Sequence, residues 1–308
     1  MSSPSTESFD VRGRTVFITG AARGIGAATA QRLHAKGANV VLAGLEPERL
    51  EALARRLGEA RSLSVEVDVT DLEALEAAVA AAVARFGGID VAIANAGLAF
   101  SGTLAGAPVA EVERTLAVNF LGVWRTNRAV IEQISARRGY LLNIASLSAV
   151  AHAPLMGPYT ASKAGVEALS DALRMETAPS GARVGCAYFG FIDTDLVKAS
   201  YAQPAAQRLN SRTPAFLRDP IPVARAVDAI ERGIQRRSAR VWAPRWVGPL
   251  IAVRGLVQPL IERRSLREQA NLVESMRLAD EHDAADHDLE LGVAAEALGQ
   301  RRSSIVSN

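Results

Sequence analysis

Residues 14–37 read RTVFITGAARGIGAATAQRLHAKG, and they carry the clearest indication of the fold class. Its first seven residues form a β-branched apolar run that ends in glycine, which is typical of a buried strand. From Gly24 to Lys36 the apolar residues recur at helical spacing. The stretch therefore predicts a strand, a glycine-rich turn and a helix in direct succession.

The same alternation of strand and helix recurs along the chain. Its further units are NVVLAG then PERLEALARRLGEA, SLSVEVDV then TDLEALEAAVAAAVARFGG, IDVAIANAG then a helical region from about Val109 to Arg137, GYLLNIAS then a helix around Tyr159 to Thr177, and ARVGCAYFG then a looser region reaching Arg218. The strands are nearly continuous apolar runs, as expected for strands covered by helices on both faces. We therefore predict an α/β fold with a Rossmann-like, doubly wound parallel sheet, followed by a helical C-terminal extension.

The chain of 308 residues has the composition of a globular protein, with 49% apolar and 22% charged residues. We expect one dinucleotide-binding and catalytic domain with short flanking segments. The predicted divisions are a polar leader over 1–11, the domain over 12–242, a helical extension over 243–298 and a disordered tail over 299–308.

Charge and cysteine content exclude several kinds of partner. The 35 basic and 33 acidic residues nearly balance, and no basic stripe with interleaved aromatic residues suggests a nucleic-acid site. The four histidines lack metal-ligand spacing, so we expect no metal. Cys186 is the single cysteine, and MSSPSTESFDVRGR has no apolar run that could act as a secretory signal, which favours a cytoplasmic setting.

Residues that follow the strands are the candidates for binding, because ligands of such sheets lie beyond the carboxyl ends of the strands. Glycines 20, 24 and 26 in TGAARGIG would let the backbone approach a diphosphate at a helix N-terminus, or would simply form a tight connection. Asp68 would accept from an adenine amino group, or would cap the helix that begins near Asp71. Asn95–Gly97 and Ser146 follow the fourth and fifth strands.

Tyr159 and Lys163 stand four residues apart in GPYTASKAGVEAL, which has the spacing of an amphipathic helix. The two side chains would lie one turn apart on the same face, where an ammonium group favours the ionised form of a phenol. In the alternative interpretation Tyr159 packs on the core and Lys163 extends to water. The pair by itself leaves both interpretations open.

Together these motifs resemble the short-chain dehydrogenase/reductase family from about Arg12 to about Val241. TGAARGIG, NAG, Asn119 in AVNF, Ser146 and YTASK stand in the family's order and at its spacings. The resemblance implies four catalytic residues, namely Asn119, Ser146, Tyr159 and Lys163. It also implies dinucleotide contacts from Gly20, Arg23, Gly24, Ile25, Gly26, Gly44, Leu45, Asp68, Val69, Asn95, Ala96, Gly97, Tyr159, Lys163, Phe189, Gly190, Ile192 and Thr194.

The resemblance assigns each catalytic residue a role. Tyr159 is the acid or base, and its pKa is expected to be lowered by Lys163 and by oxidised nicotinamide. Lys163 also holds the nicotinamide ribose. Ser146 donates a hydrogen bond to the substrate oxygen, and Asn119 orients a water that relays protons. Ser148 is expected to be structural.

Three positions, at the ends of two strands, depart from the family's pattern within the domain. Gly44 and Leu45 stand where members that prefer NAD carry an aspartate and members that prefer NADP carry an arginine. Because Arg23 could pair with a 2′-phosphate, we favour NADP. Glu46 would support NAD instead, or would simply interact favourably with the dipole of the helix that it precedes. Phe189 replaces a proline that shapes the turn against the nicotinamide.

The segment VWAPRWVGPLIAVRGLVQPLIERR, residues 241–264, lies beyond the usual core. Its prolines and arginines exclude a membrane-spanning helix. Three interpretations remain: a helix packed on this subunit or a partner subunit, which we favour, a lid over the substrate pocket, or contact with a membrane surface through 243–262.

We therefore expect an oxidoreductase that interconverts an alcohol and a carbonyl compound with NADP or NAD. The competing hypothesis is a catalytically silent dinucleotide-binding module that acts as a redox sensor or structural subunit; the intact catalytic set argues against it. The resemblance implies a homodimer or homotetramer. The apolar side chains of Leu98, Phe100, Leu155 and Met156 suggest a small lipophilic substrate, or belong to the core.

Overall fold

The structure is a computed structural model that describes residues 8–211 and 214–282, without the side chains of Phe216 and Leu217. Residues 1–7 of the predicted leader, residues 283–298 of the predicted extension and the predicted tail over 299–308 lie outside the described residues.

Seven parallel strands form one sheet in the order β3-β2-β1-β4-β5-β6-β7. The strands are β1 Thr15–Thr19, β2 Asn39–Gly44, β3 Ser62–Glu66, β4 Val91–Ala94, β5 Tyr140–Ile144, β6 Arg183–Phe189 and β7 Arg240–Ala243. In the register of the central strands, Val16 of β1 lies between Val40 of β2 and Val91 of β4. The order reverses between β1 and β4, so the predicted doubly wound sheet is confirmed.

Helices cover both faces of the sheet. They are α1 Gly24–Ala35, α2 Pro47–Leu57, α3 Leu72–Phe86, α4 Val109–Leu116, α5 Gly122–Ala136, α6 Gly157–Thr177, α7 Asp195–Ala202, α8 Pro204–Asn210, α9 Ala215–Arg218, α10 Val223–Arg236, α11 Val247–Ala252 and α12 Arg254–Arg267, followed by helical residues 269–282. Val16 and Ile18 of β1 pack in the core beneath α1, α2 and α10, whereas Phe17 packs in the opposite core beneath α3 and α5. This alternation explains the continuous apolar strands.

The helical region predicted over Val109–Arg137 is interrupted. A π turn, Ala117–Leu121, separates α4 from α5. It contains Asn119, which is fully buried and hydrogen-bonded to the backbone of Leu98. A tertiary hydrogen bond therefore coincides with the break in the regular helix, and such turns are frequent at functional sites.

The C-terminal part differs from the sequence prediction in detail. The region expected to be loose up to Arg218 contains α7, α8 and α9. Strand β7 reaches Ala243, one residue past the predicted domain boundary, and joins β6 in parallel. Within the described residues, no helix has the length and apolar character needed to cross a membrane.

Candidate active site

The glycine-rich turn between β1 and α1 has a backbone that side chains would obstruct. Gly20 and Gly24 have φ values of +63° and +57°, which favour glycine. A Cβ on Gly26 would lie 2.2 Å from the carbonyl oxygen of Gly20. The N-cap residue Arg23 makes no side-chain capping hydrogen bond, and the first turn of α1 has no acidic residue. The amide groups at this helix start thus face no carboxylate from their own turn, which suits a diphosphate.

Asn95 braces this turn from the neighbouring strand. Its Nδ2 donates to the carbonyl oxygens of Thr19 and Gly20 at 3.0 and 3.1 Å. The hydroxyl of Thr19 accepts from the backbone amides of Asn95 and Ala96 at 3.0 and 3.2 Å. The side chain of Asn95 therefore fixes the loop backbone, and the loop's outer surface is left for a ligand.

The end of β2 carries an ion pair. The Nε atom of Arg23 lies 3.5 Å from Oε2 of Glu46, and Leu45 beside it is exposed. A Cβ on Gly44 would meet only ordinary van der Waals contacts. The sequence suggests Arg23 and Glu46 as alternative residues for binding the 2′ position of the ribose. The two side chains lie beside each other, so their charges neutralise.

Asp68 and Val69 follow β3 at the same edge of the sheet. The Oδ1 atom of Asp68 accepts from the amide and the hydroxyl of Thr70, each at 2.8 Å, while Asp71 caps α3 by accepting from Ala74 N at 3.1 Å. The capping alternative for Asp68 is thus wrong. Val69 is buried and packs near Gly122 of α5.

Ser146 and Tyr159 come together beyond the end of β5. Ser146 is nearly buried, and its Oγ accepts from Ser148 N at 3.1 Å. Burial raises the pKa of the Tyr159 phenol, whereas a hydrogen bond with Ser146 acts in the lowering direction. The sequence predicted a pKa below the ordinary value; in the protein alone, burial outweighs the lowering contribution.

Lys163 lies beneath Tyr159 and does not extend to water. Its Nζ donates to the carbonyl oxygen of Ile144 at 3.1 Å and lies 5.8 Å from the centre of the Tyr159 ring. Burial lowers the pKa of Lys163 to about 8. The same Nζ lies 3.5 Å from the place that a Cβ on Gly97 would occupy. The packing alternative, with the ammonium in solvent, is therefore wrong.

Asn119 supports the loop after β4. Its Oδ1 accepts from Leu98 N at 2.7 Å, and its Nδ2 donates to Leu98 O at 2.9 Å. Oδ1 also lies 3.2 Å from the place that a Cβ on Gly97 would occupy. The amide thus holds the backbone beside Lys163, and both of its polar atoms are engaged there.

The residues after β6 form the opposite wall. Gly190 N donates to Ala243 O at 2.9 Å, and buried Ile192 pairs with Ile221. Thr194 caps α7 by accepting from Val197 N at 3.4 Å, and its methyl group faces Gly24 at 3.5 Å from an ideal Cβ. The chain after Phe189 therefore turns back toward the glycine-rich loop, as the resemblance implies.

A cavity of about 400 Å³ opens beside Ser146 and Tyr159. Its apolar wall includes Ala99, Leu147, Met156, Phe189, Phe191, Leu196, Trp246, Leu250, Val257, Ile261 and Leu272. Of the four apolar residues proposed from the sequence, Met156 lines the cavity, Phe100 and Leu155 are buried in the core, and Leu98 is half-buried with its backbone bonded to Asn119. The volume is within the range of ligand pockets in proteins, and the lining is mainly apolar.

The C-terminal helices supply the part of this wall that sequence reasoning missed. Leu250 of α11, Val257 and Ile261 of α12, and Leu272 all line the cavity. Arg254 pairs with buried Glu167 at 2.8 Å, and Gln258 accepts from His152 N at 2.9 Å. The segment thus packs on its own subunit and covers the pocket, so two of the three interpretations apply together. The helical spacing of Val257 and Ile261 was the available signal.

Known proteins are similar to this chain in sequence and in fold. The short chain dehydrogenase family model matches residues 14–205. Trans-4-hydroxycyclohexanecarboxylate dehydrogenase of Sinomonas cyclohexanicum is 36% identical over 191 residues, which cover 59% of this chain and 74% of that protein. 3beta-Hydroxysteroid dehydrogenase 1 of Eggerthella lenta is 33% identical over 208 residues, covering 66% and 80%.

A solved structure from Agrobacterium tumefaciens, provisionally assigned as a gluconate dehydrogenase, has a TM-score of 0.69 and 24% identity. The match covers 80% of this chain and 98% of that one, and it shows the fold. The family match, the sheet and the enzyme relatives agree: the chain belongs to the short-chain dehydrogenase family and is an oxidoreductase of alcohols and carbonyl compounds.

Proposed function

We propose that the protein interconverts a lipophilic secondary alcohol and its ketone by hydride transfer, with Tyr159 as the acid or base. The observation that carries this proposal is that Ser146 and Tyr159 line one apolar cavity while Lys163 lies buried beneath the phenol. A structural subunit would gain nothing from burying an amine, because burial penalises its charged form. The arrangement therefore argues against the catalytically silent module.

The residues at the strand ends fit a nicotinamide dinucleotide. The positive φ values of Gly20 and Gly24 and the uncapped start of α1 suit its diphosphate. Asp68 would accept from the adenine through Oδ2, which makes no hydrogen bond within the described part of the chain. Lys163 would hold the nicotinamide ribose. When bound, the dinucleotide supplies or accepts the hydride.

The proton moves at the phenol oxygen of Tyr159. In reduction, Ser146 donates a hydrogen bond to the substrate oxygen, and the phenol gives up its proton as negative charge develops there. Burial raises the pKa of the phenol, so it holds its proton until that charge appears. Lys163 then stabilises the phenolate from below. Asn119 acts by holding Leu98 and thereby the backbone beside Lys163.

We favour NADP as the cofactor. No acidic residue stands at Gly44 or Leu45 to repel a 2′-phosphate, and the carboxylate of Glu46 is paired with Arg23. A 2′-phosphate would compete with Glu46 for the same guanidinium group. NAD remains the alternative if Glu46 accepts from the ribose instead.

We propose an alicyclic secondary alcohol or ketone as the substrate. The cavity is largely apolar, and its polar groups beside the reaction centre include Ser146 and Tyr159. The names of the relatives specify hydroxyl groups on a cyclohexane ring and on a steroid. The predicted cytoplasmic setting and homodimer or homotetramer remain predictions.

The test is turnover by purified protein with NADPH or NADH and a panel of cyclohexanone and steroid ketones. Tyr159→Phe should lower kcat/KM by about 10²–10⁴-fold and leave dinucleotide affinity within about twofold. Tyr201→Phe, which also lines the cavity, is the matched control and should keep most of the activity. Activity retained by Tyr159→Phe would refute the proposed mechanism, and no dinucleotide binding would favour the silent module.

A further inference from the structure

A second concave surface lies away from the active site, between α10 and the edge strand β7. It forms a groove of about 950 Å³. Its lining includes five exposed arginines and the exposed indole of Trp242. The arginines are Arg225, Arg232, Arg236, Arg240 and Arg245.

These five arginines have unsatisfied charges. Within residues 8–211 and 214–282, none of their side chains forms a hydrogen bond or an ion pair. Asp228, the acidic residue among the described lining, is already bound to Arg32 at 2.9 Å. The groove therefore presents a concentrated positive field to solvent.

Helix α12, which follows the groove in the chain, has an exposed face that is both apolar and basic. Leu256 and Leu260 are 72% and 62% exposed. Arg263 and Arg267 lie seven residues after them and share their helix face. The neighbouring face of the helix, with Val257 and Ile261, lines the substrate cavity. The exposed leucines are therefore not needed for packing within the subunit.

Positive charge is concentrated in this part of the chain. Residues 221–267 contain ten arginines and three acidic residues, whereas the whole chain has 35 basic and 33 acidic residues. A symmetric contact between two copies would place the same arginine cluster opposite itself, which repulsion disfavours. A nucleic acid would engage the arginines but would leave the leucines of α12 without a function.

We propose that residues 221–267 form a docking surface for an anionic lipid bilayer. The groove arginines bind lipid phosphates, Trp242 lies at the interface, and Leu256 and Leu260 enter the boundary of the acyl chains. We favour a bilayer because it offers partners for both the unpaired arginines and the exposed apolar side chains. A soluble polyanion would bind the arginines alone.

Cosedimentation of the full chain with vesicles tests this proposal. We expect binding to phosphatidylcholine vesicles that contain phosphatidylglycerol, little binding to pure phosphatidylcholine, and loss of binding as salt rises. Arg236→Gln/Arg240→Gln/Arg245→Gln should weaken binding at least tenfold. The charge-matched control Arg49→Gln/Arg55→Gln/Arg56→Gln, on α2, should change it less than twofold.

A second pair of variants examines the apolar part. Leu256→Ser/Leu260→Ser should weaken vesicle binding at least threefold, whereas Leu104→Ser/Val109→Ser, which alters two exposed apolar residues elsewhere, should not. Turnover of a water-soluble substrate should be unchanged in all four variants. This readout separates failure of docking from failure of the oxidoreductase or of folding.

Four outcomes would overturn the proposal. These are no binding of the full chain to anionic vesicles, binding that is insensitive to the groove arginines, binding of heparin without binding of vesicles, and concentration-dependent self-association that the leucine variant abolishes without any vesicle binding. Binding seen only after deletion of residues 283–308 would also overturn it and would assign the surface to the chain's own acidic C-terminal segment.

Discussion

The glycine-rich turn and helix α12 both border the proposed active site, but they are constrained in different ways. At Gly26 a single added carbon would lie 2.2 Å from a backbone oxygen, whereas around Gly255 of α12 a Cβ would meet nothing within 4 Å. The turn is determined by backbone contacts, and α12 is held by side-chain packing and a few polar bonds. Backbone contacts require particular residues at fixed spacing, so they produce a recognisable sequence motif. Side-chain packing can be achieved by many sequences and produces no short motif.

We expect the strongest effect from adding a Cβ atom at Gly26. Gly26→Ala should destabilise the fold by about 2–3 kcal/mol, because the Gly20 carbonyl and Asn95 cannot both keep their positions. Dinucleotide affinity should fall by about 100-fold or more as the loop shifts. Chemical denaturation and fluorescence titration with NADPH measure the two effects.

Gly255→Ala is the matched control for this substitution. It should leave dinucleotide affinity unchanged and stabilise α12 by about 0.5–1 kcal/mol, since alanine is the better helix former. Equal effects at the two glycines would remove the distinction between the two regions.

The next largest effect concerns the buried amine. Lys163→Met should abolish turnover yet stabilise the protein by about 1–3 kcal/mol at pH 7, with the lost bond to Ile144 O reducing the gain. The folded pKa of Lys163 is about 8, below its ordinary 10.5. The unfolded chain therefore binds more protons between these values, and wild-type stability rises with pH through that range.

The advantage of Lys163→Met should accordingly be full below pH 8 and shrink as pH rises toward 10.5. Thermal denaturation at several pH values would show this trend. Lys198→Met, at an exposed lysine of α7, should change stability by no more than about 0.5 kcal/mol. A destabilised Lys163→Met variant at pH 7 would contradict the prediction.

A smaller effect is expected where packing alone shapes the site. Ile261→Ala should raise KM for a bulky ketone by about 5–20-fold, because part of the apolar wall is lost. Dinucleotide affinity and kcat should change less than about twofold. Leu260→Ala, one position away but on the exposed face, should leave KM unaltered. Steady-state kinetics with the same ketone compare the two.

The smallest effect is expected at the exposed ion pair. Glu46→Gln should strengthen NADPH binding by about 3–10-fold, because Arg23 is released toward a 2′-phosphate. Arg23→Gln should weaken NADPH binding by a similar factor and affect NADH little. If Glu46→Gln instead weakened NADH binding by a larger factor than it strengthened NADPH binding, Glu46 would be the residue that binds the ribose hydroxyl groups.

Much of the fold was predictable because the central strands of the sheet are buried on both faces. The first six strands and the helices through α6 follow from apolar runs and helical spacing, since burial determines both patterns. Strand β7 has four residues and one exposed face, and its short run gives too little signal. The π turn at Asn119 was not predicted, because it coincides with a hydrogen bond to Leu98, which is remote in sequence.

The site was predictable to the same extent. The sequence placed Ser146, Tyr159 and Lys163 at one edge of the sheet, and the structure brings them together there. It did not predict that burial raises the pKa of Tyr159 in the protein alone, because burial depends on tertiary packing. The wall from Leu250, Val257 and Ile261 was equally hidden, because no local pattern states which cavity a helix will cover.

The brace that Asn95 and Thr19 form behind the glycine-rich turn has a consequence for the entropy of cofactor association. Four hydrogen bonds hold the turn and the end of β4 together within the protein itself. The conformational entropy of ordering this loop is therefore lost during folding, before any dinucleotide arrives. Ordering the binding loop therefore lowers the free energy of unfolding of the domain. When the dinucleotide binds, little conformational entropy is lost beyond that of the ligand itself.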